Sequence, residues 1–218
     1  RVAPLPLWCM PLTRTPLDPA TLSPAAQKAL AGPGPMKMMA ARGLAPLPRP
    51  VDVTIVLYQL ALDGDARIAA LADKAAGELP EKILGPALAD PTLDARVLDF
   101  FAVKLRARSD LVEAIILNAA TATATICDLA AVLDAVSLDL IAQNEQRLLA
   151  APEIIAALYL NVKTRMSTVD RAVELAVRNS VTVPGVPAWE EVVAGVLGSK
   201  TADPAEGVAS DQDTAFAE

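Results

Sequence analysis

The sequence predicts an all-α protein in which helical hairpins stack into a right-handed α-solenoid. Three observations support this prediction. Of the 218 residues, 53% are hydrophobic but only 3% are aromatic, a composition typical of closely packed, alanine-rich helices. Between residues 51 and 198, apolar side chains recur at spacings of three and four, and Asp, Asn, Pro or Gly interrupts them about once per helix length. Segments of this region also resemble one another at a fixed offset.

Residues 1–50 form a proline-rich leader. Eleven of the 18 prolines lie here, and each removes a backbone donor and disfavours helix at the preceding residue. The leader is therefore predicted to be mostly extended. Two short helices are expected within it, at 25–31 and 36–42, because each has a proline near its start and a glycine after its end. The stretch 32–35 is predicted to be a hinge, since its prolines lack the N–H groups that a phosphate cradle needs.

Residues 51–198 form the predicted helical repeat domain. Its first segment, 51–55, alternates apolar and polar residues as a strand would, but Leu57 and Leu60 continue the pattern at helical spacing. Residues 199–218 are acidic and poor in large apolar side chains, and we predict a disordered tail or linker there. The helices of the repeat domain are predicted at 51–62, 66–77, 81–89, 94–106, 110–117, 124–134, 137–149, 152–160, 168–178 and 187–197.

Internal similarity is the strongest signal of a repeat. The segment 111–118 matches 154–161 at an offset of 43 residues, and the match continues from Thr121 to Thr164 and from Thr125 to Thr168. A shorter match joins 65–68 to 94–97. Helix pairs of this kind bury their apolar faces by stacking on neighbours. We therefore expect the two long segments to be equivalent helix–turn–helix units that share one core, with Ile115, Ile116, Leu158 and Leu160 in it.

Three runs of sequence, at 37–48, 140–149 and 165–171, are similar to known helical repeats. They resemble HEAT-like and leucine-rich-variant α-helical repeats, and in particular uncharacterised helical-repeat proteins of deltaproteobacteria. The resemblance covers about residues 35–198 and implies a HEAT- or armadillo-like architecture without implying an activity. It also implies a further helical segment after an acidic linker like 199–218. A contact between this chain and such a C-terminal segment is therefore expected.

Charge and composition exclude several classes of function. The chain contains no histidine, which removes Ser–His and Cys–His nucleophiles and imidazole zinc sites. Residues 51–199 hold 12 basic residues against 20 acidic ones, so nucleic acid is not an expected partner. Acidic residues interrupt the most apolar stretch, 111–142, and no membrane span is predicted. The distant Cys9 and Cys127 suggest a reducing, cytoplasmic setting, and no cofactor or metal site is predicted.

Asparagines recur near the predicted helix ends and allow two interpretations. A ladder of side-chain amides along one edge of a solenoid would bind a partner's backbone. Asparagine is also the usual non-glycine residue for a left-handed helix stop, and this second interpretation is favoured. The four asparagines are Asn118, Asn144, Asn161 and Asn179.

Four arginines make up most of the candidate interaction surface. Ser167 and Asp170 have the spacing of a capping box at the start of a helix, a scheme that gives the neighbouring arginines no structural role. Clustered guanidinium groups would receive a carboxylate or phosphate, whereas solvated arginines are the ordinary alternative. The candidate surface consists of Trp8, Asn144, Arg147, Arg165, Arg171 and Arg178.

Trp8 joins this surface because it is an apolar aromatic residue in an extended, proline-rich segment, where it needs a groove on this chain or on a partner. The resulting hypothesis is a non-catalytic scaffold that holds a protein partner. The alternatives are a helical-repeat enzyme or anion sensor that uses Arg, Asp and Glu on its concave face, and a regulatory half that orders or inhibits a C-terminal segment.

Overall fold

The structure, a computed structural model, describes residues 12–201, with side chains described to residue 196. This part of the chain contains thirteen α-helices, one 3₁₀ turn at Pro19–Thr21 and no strand, so it is all-α as predicted. The helices are α1 Pro24–Ala31, α2 Gly34–Ala41, α3 Pro50–Ala61, α4 Ala66–Glu78, α5 Glu81–Leu88, α6 Ala95–Lys104, α7 Ser109–Leu117, α8 Thr123–Val132, α9 Ala135–Gln143, α10 Glu145–Ala150, α11 Glu153–Leu160, α12 Met166–Arg178 and α13 Trp189–Thr201.

The predicted helices are confirmed within a few residues, with one split. The segment 137–149, predicted as one helix, is divided into α9 and α10 at Asn144. Its side-chain Oδ1 accepts a hydrogen bond from the Arg147 backbone N–H at 3.0 Å, which begins a new helix. The segment 51–55 is helical and lies in α3, where Pro50 occupies the first turn.

Aspartates begin several helices by accepting from backbone N–H groups two or three residues on. Asp65 and Asp94 have this role for α4 and α6, and both lie in the short segments that match at 65–68 and 94–97. The capping box predicted at Ser167 and Asp170 is wrong, because α12 begins at Met166 and its N-cap residue makes no side-chain cap. The first turn is held instead by Thr168, whose hydroxyl donates to the Asp139 carboxylate on α9.

The main packing contacts join helices no more than three positions apart in the chain order. The most extensive are between α3 and α4 and between α8 and α11, while α1 and α2 pack on α3 and α4. One continuous core runs from Leu17 to Val186. Its largest buried side chains include Tyr58, Phe100 and Phe101, whose rings meet edge to face at centroid distances of 5.6 and 5.2 Å.

The described part of the leader docks on this core. The Tyr58 hydroxyl donates to the Thr15 carbonyl at 2.8 Å, and the Gln59 amide exchanges two hydrogen bonds with the backbone of Leu17. Arg14 lies 5.3 Å above the Phe100 ring, a cation–π contact. Trp8 lies outside the described residues, as do residues 202–218 of the tail predicted at 199–218. Residues 199–201 of that tail are instead the end of α13.

The predicted core residues are confirmed at three of four positions. Ile115, Ile116 and Leu158 are buried, but Leu160 is 49% exposed. Leu160 is the last residue of α11, where the chain turns and the side chain leaves the packed face. Within residues 12–201, none of the helices combines the length and apolar composition that crossing a bilayer requires.

Candidate functional site

Two asparagines hold the turns after α7 and α11 in the same way. The Asn118 side-chain amide donates to the Leu88 carbonyl at the end of α5 at 2.7 Å, and the Asn161 amide donates to the Ala130 carbonyl in α8 at 2.7 Å. In each turn the asparagine Oδ1 accepts from the backbone N–H two residues on, at 2.9 Å. Both amides are therefore directed at this chain's own backbone.

A threonine three residues after each asparagine makes a second pair of equivalent hydrogen bonds in the two turns. The Thr121 hydroxyl donates to the Ile115 carbonyl at 2.6 Å, and the Thr164 hydroxyl donates to the Leu158 carbonyl at 2.7 Å. Every residue pair in these turns has the offset of 43 residues. The favoured interpretation as helix caps is confirmed for these asparagines, but not as left-handed stops: φ is −69° at Asn118 and −83° at Asn161, ordinary extended backbone.

Arg147 ties its helix to the end of another helix. Its guanidinium donates to the carbonyls of Ile116 at 3.1 Å and Asn118 at 3.0 Å, and burial lowers its pKa. The expectation that Arg147 has no structural role is wrong, because these carbonyls at the end of α7 have no partner within their own helix. Arg108 does the same with Leu79 at 2.7 Å. The sequence analysis missed this pair.

We expect Arg147→Lys to destabilise the protein by about 1.5 to 3 kcal/mol, the usual cost of losing a hydrogen bond to a charged group. A lysine ammonium cannot span separate carbonyls as the guanidinium fork does. Urea denaturation measures the change. Arg171→Lys, on the exposed face of α12, is the matched control and should leave the midpoint near that of the wild type. Equal midpoints for both variants would contradict the structural role of Arg147.

The other candidate residues lie on or beside α9, α10 and α12. Arg165 forms an ion pair with Asp139, and Arg178 forms one with Glu174 at 2.6 Å. Both therefore have partners within the chain that the sequence analysis did not foresee. Arg171 is exposed on α12, and Asn144 is exposed at the start of α10.

Three aspartate carboxylates are buried, and each is bonded to a side chain of the same chain. Asp99 is 3% exposed and accepts from the Thr125 hydroxyl at 2.7 Å, while Asp128 pairs with Arg106. Burial raises the pKa of Asp99. The Asp52 carboxylate is also buried, yet hydrogen bonds from Arg49 and Ser23 outweigh that burial and hold its pKa below the usual value. Arg49 and Arg106, the partners of Asp52 and Asp128, reach the surface, with 60% and 37% of their side chains exposed.

Asp99 gives a pH dependence of known sign. Because its folded pKa is raised, ionisation is harder in the folded state, so its contribution becomes less favourable as pH rises above the unfolded value of 3.8. Asp99→Asn removes the ionisable group. We expect the free energy of unfolding of the variant, minus that of the wild type, to increase as the pH is raised from acidic to neutral; urea denaturation at each pH measures both values. A difference in the free energy of unfolding that decreases as the pH rises would contradict a raised pKa for Asp99.

Five exposed apolar residues lie at helix ends and turns in the second half of the array. We call them the turn edge. They belong to α7, α8, α9, α11 and the turn after α11; α9 contacts α7, α8 and α11, and α8 also contacts α11. A soluble surface normally leaves such side chains scattered, and a contiguous group marks a binding site. The turn edge consists of Leu117, Val132, Val136, Leu160 and Val162.

Hydrogen bonds bring the turn at 161–165 against α8 and α9. The Lys163 ammonium donates to the Val132 carbonyl at 3.3 Å, and Arg165 pairs with Asp139, one helical turn beyond Val136. Val162, which immediately precedes Lys163, is 98% exposed. These bonds hold Val132, Val136 and Val162 of the turn edge in place, and we call these three residues the apolar strip; the cationic Lys163 and Arg165 lie beside it.

Among residues 12–201, no group of three or more Cys, Asp or Glu side chains has the geometry of a metal site. Comparison of the chain with protein-family models, with curated proteins and with solved structures found no significant match.

Proposed function

We propose that this chain is a non-catalytic scaffold, an α-solenoid of HEAT-like helical repeats that binds a protein partner through the turn edge. The single observation that carries the proposal is the row of exposed apolar residues at the turn edge, above all Val162. A partner that covers these apolar side chains removes their surface from water, which contributes favourably to binding.

Two features support the repeat architecture. The main helix contacts are between near neighbours in the chain order, as expected when each unit stacks only on the next. Equivalent hydrogen bonds recur at Asn118 and Asn161, and again at Arg108 and Arg147. Each of these bonds joins a turn or helix to a segment about 30 residues earlier in the chain. They therefore support a regular spacing between successive helical units.

The charges beside the turn edge indicate the partner's chemistry. Lys163 and Arg165 flank the apolar strip, although Arg165 is already paired with Asp139. A partner segment with apolar side chains next to an acidic one fits this surface, since charge complementarity at the rim mainly sets orientation and association rate. The alternative, an enzyme or anion sensor, is less favoured because Asp99 is enclosed and Arg147 is bound to backbone carbonyls.

Affinity capture with variants of the full chain tests the proposal. The edge variant carries Val136→Glu and Val162→Glu, which place charge on the apolar strip. The matched control carries Ala66→Glu and Ala70→Glu on exposed positions of α4. All three baits are compared by quantitative mass spectrometry of proteins captured from the natural host, after thermal unfolding shows that each is folded.

The proposal requires a protein that the wild type and the control capture and the edge variant loses. If the three baits retain the same proteins in the same amounts, the turn edge is not the binding surface.

A further inference from the structure

Apolar grooves lie at both ends of the helix order. The first groove, of about 480 Å³, lies between α1, α2 and the loop that follows, and Met36, Met39 and Leu47 line it with Lys28 at its rim. The last groove, of about 730 Å³, lies between α12 and α13. Its lining includes Met166, Val169, Val173 and Val192 together with the acidic Asp170 and Glu174.

Exposed methionines distinguish these grooves from ordinary surface. Within residues 12–201 the methionines are Met36, Met38, Met39 and Met166, and all are exposed. Methionine usually fills core gaps, and where it is exposed in number it serves adaptable binding surfaces. Three of these four line the two end grooves.

The position of the grooves explains why they are open. Inner helices such as α3 and α8 are covered by helices that precede and follow them. Within the part of the chain that the structure describes, the main contacts of α1 are with the helices that follow it, α2 and α3, and those of α13 are with the preceding α12. A stack of helical units needs a polar outer face at each end to remain monomeric. In the described part of the chain, apolar side chains line a groove at each end instead.

The linings of the two grooves carry opposite charge. Lys28 is exposed and is the one charged residue among those that line the first groove, whereas Lys37 and Arg49 of the leader pair with Asp63 and Asp52. The last groove has Asp170 at its rim, with Glu190 and Glu191 exposed at the start of α13. Arg178 also lines this groove, but it is paired with Glu174. Lys28 of one copy therefore fits Asp170 of another.

From these observations we infer that the occupant of each groove is a second copy of this chain, so that the last groove of one copy packs on the first groove of the next. The inference rests on the repeat architecture of the proposed function but not on the turn edge. Such a head-to-tail contact uses two different surfaces, so it builds open chains, or rings where the rotation between copies closes, rather than a dimer that pairs the same surface on both copies.

Sedimentation velocity of the full chain over a wide range of concentration tests the inference. Met39→Glu blocks the first groove and Met166→Glu blocks the last; both side chains are exposed, at 49% and 75%, so both variants should fold. Met38→Glu, on the same helix as Met39 but outside the groove lining, is the matched control. Lys28→Asp combined with Asp170→Lys tests the charge pairing.

The wild type and the control should grow in mass with concentration beyond twice the monomer mass of 22.7 kDa. Each blocked variant alone should stay monomeric. Equal amounts of Met39→Glu and Met166→Glu should form a two-copy species and nothing larger, because one intact groove of each kind remains. The Lys28→Asp/Asp170→Lys double variant should associate with itself more strongly than either single change does.

A wild type that stays monomeric throughout, or blocked variants that fail to pair when mixed, would overturn the inference. The blocked variants retain the turn edge. Capture of a partner through the turn edge by a wild type that does not self-associate would show that this inference alone has failed, whereas self-association of the wild type without a partner dependent on the turn edge would show failure of the proposed function alone.

Discussion

Leu158→Ala is expected to destabilise the protein by about 2 to 5 kcal/mol, the largest effect of any single change considered for this chain. Leu158 has no exposed surface and lies in α11, which packs against α8, α9, α10 and α12. Removing its isobutyl group loses the transfer free energy of the buried atoms and leaves a cavity that four surrounding helices cannot easily fill.

Urea denaturation followed by circular dichroism measures this loss. Leu160→Ala is the matched control, because the same substitution two residues later removes a half-exposed side chain. It should change the free energy of unfolding by about 0.5 kcal/mol or less. Similar losses for the two variants would show that α11 is rotated from the orientation described above.

Asn118→Ala is expected to cost about 1 to 3 kcal/mol, because removing a buried partner leaves polar groups unsatisfied. The Asn118 side-chain Nδ2 donates hydrogen bonds to the carbonyls of Leu88 and Asp90, and its Oδ1 accepts one from the Ala120 backbone N–H. Asn118 is 5% exposed, so water has little access to replace these bonds.

Asn179→Ala serves as the control for this change. Its amide bonds only the Leu175 carbonyl within the same helix and is exposed, so thermal unfolding should shift little. Hydrogen exchange adds a local measurement: in Asn118→Ala the Ala120 amide should lose protection while amides in α3 keep theirs. Retained protection at Ala120 would contradict the assigned role of the turn.

Helix positions could be predicted because their boundaries are encoded locally. Asp65 and Asp94 cap helices with their own side chains, and proline fixes the first turns of α1 and α3. The 43-residue offset identified the two equivalent turns, since the same Asn and Thr residues make the same bonds in each. Asn144 was placed near a helix end, but its ability to end α9 and start α10 inside the segment 137–149 was missed.

Contacts between distant segments could not be predicted in this way. Arg147 was placed on the candidate interaction surface, with an ordinary solvated arginine as the alternative. Its partners are backbone carbonyls about 30 residues earlier, and carbonyls carry no signature in the sequence. A search for arginines at a constant distance after successive helix ends would have paired Arg147 with Arg108. The exposure of Leu160 depends on where α11 ends. Leu160 is the last residue of that helix, and a pattern of apolar residues does not fix a helix end to a single position.

Site-specific photo-crosslinking is the most direct test of the proposed scaffold. A benzophenone amino acid is placed at Val162, in the turn edge, or at Ala70, on the exposed face of α4, and the full chain is irradiated in its natural host. The account predicts a discrete crosslinked protein from position 162 that is absent from position 70 and is lost when Val136→Glu is added. No crosslink to another protein from position 162, or the same crosslinks from both positions, would contradict it.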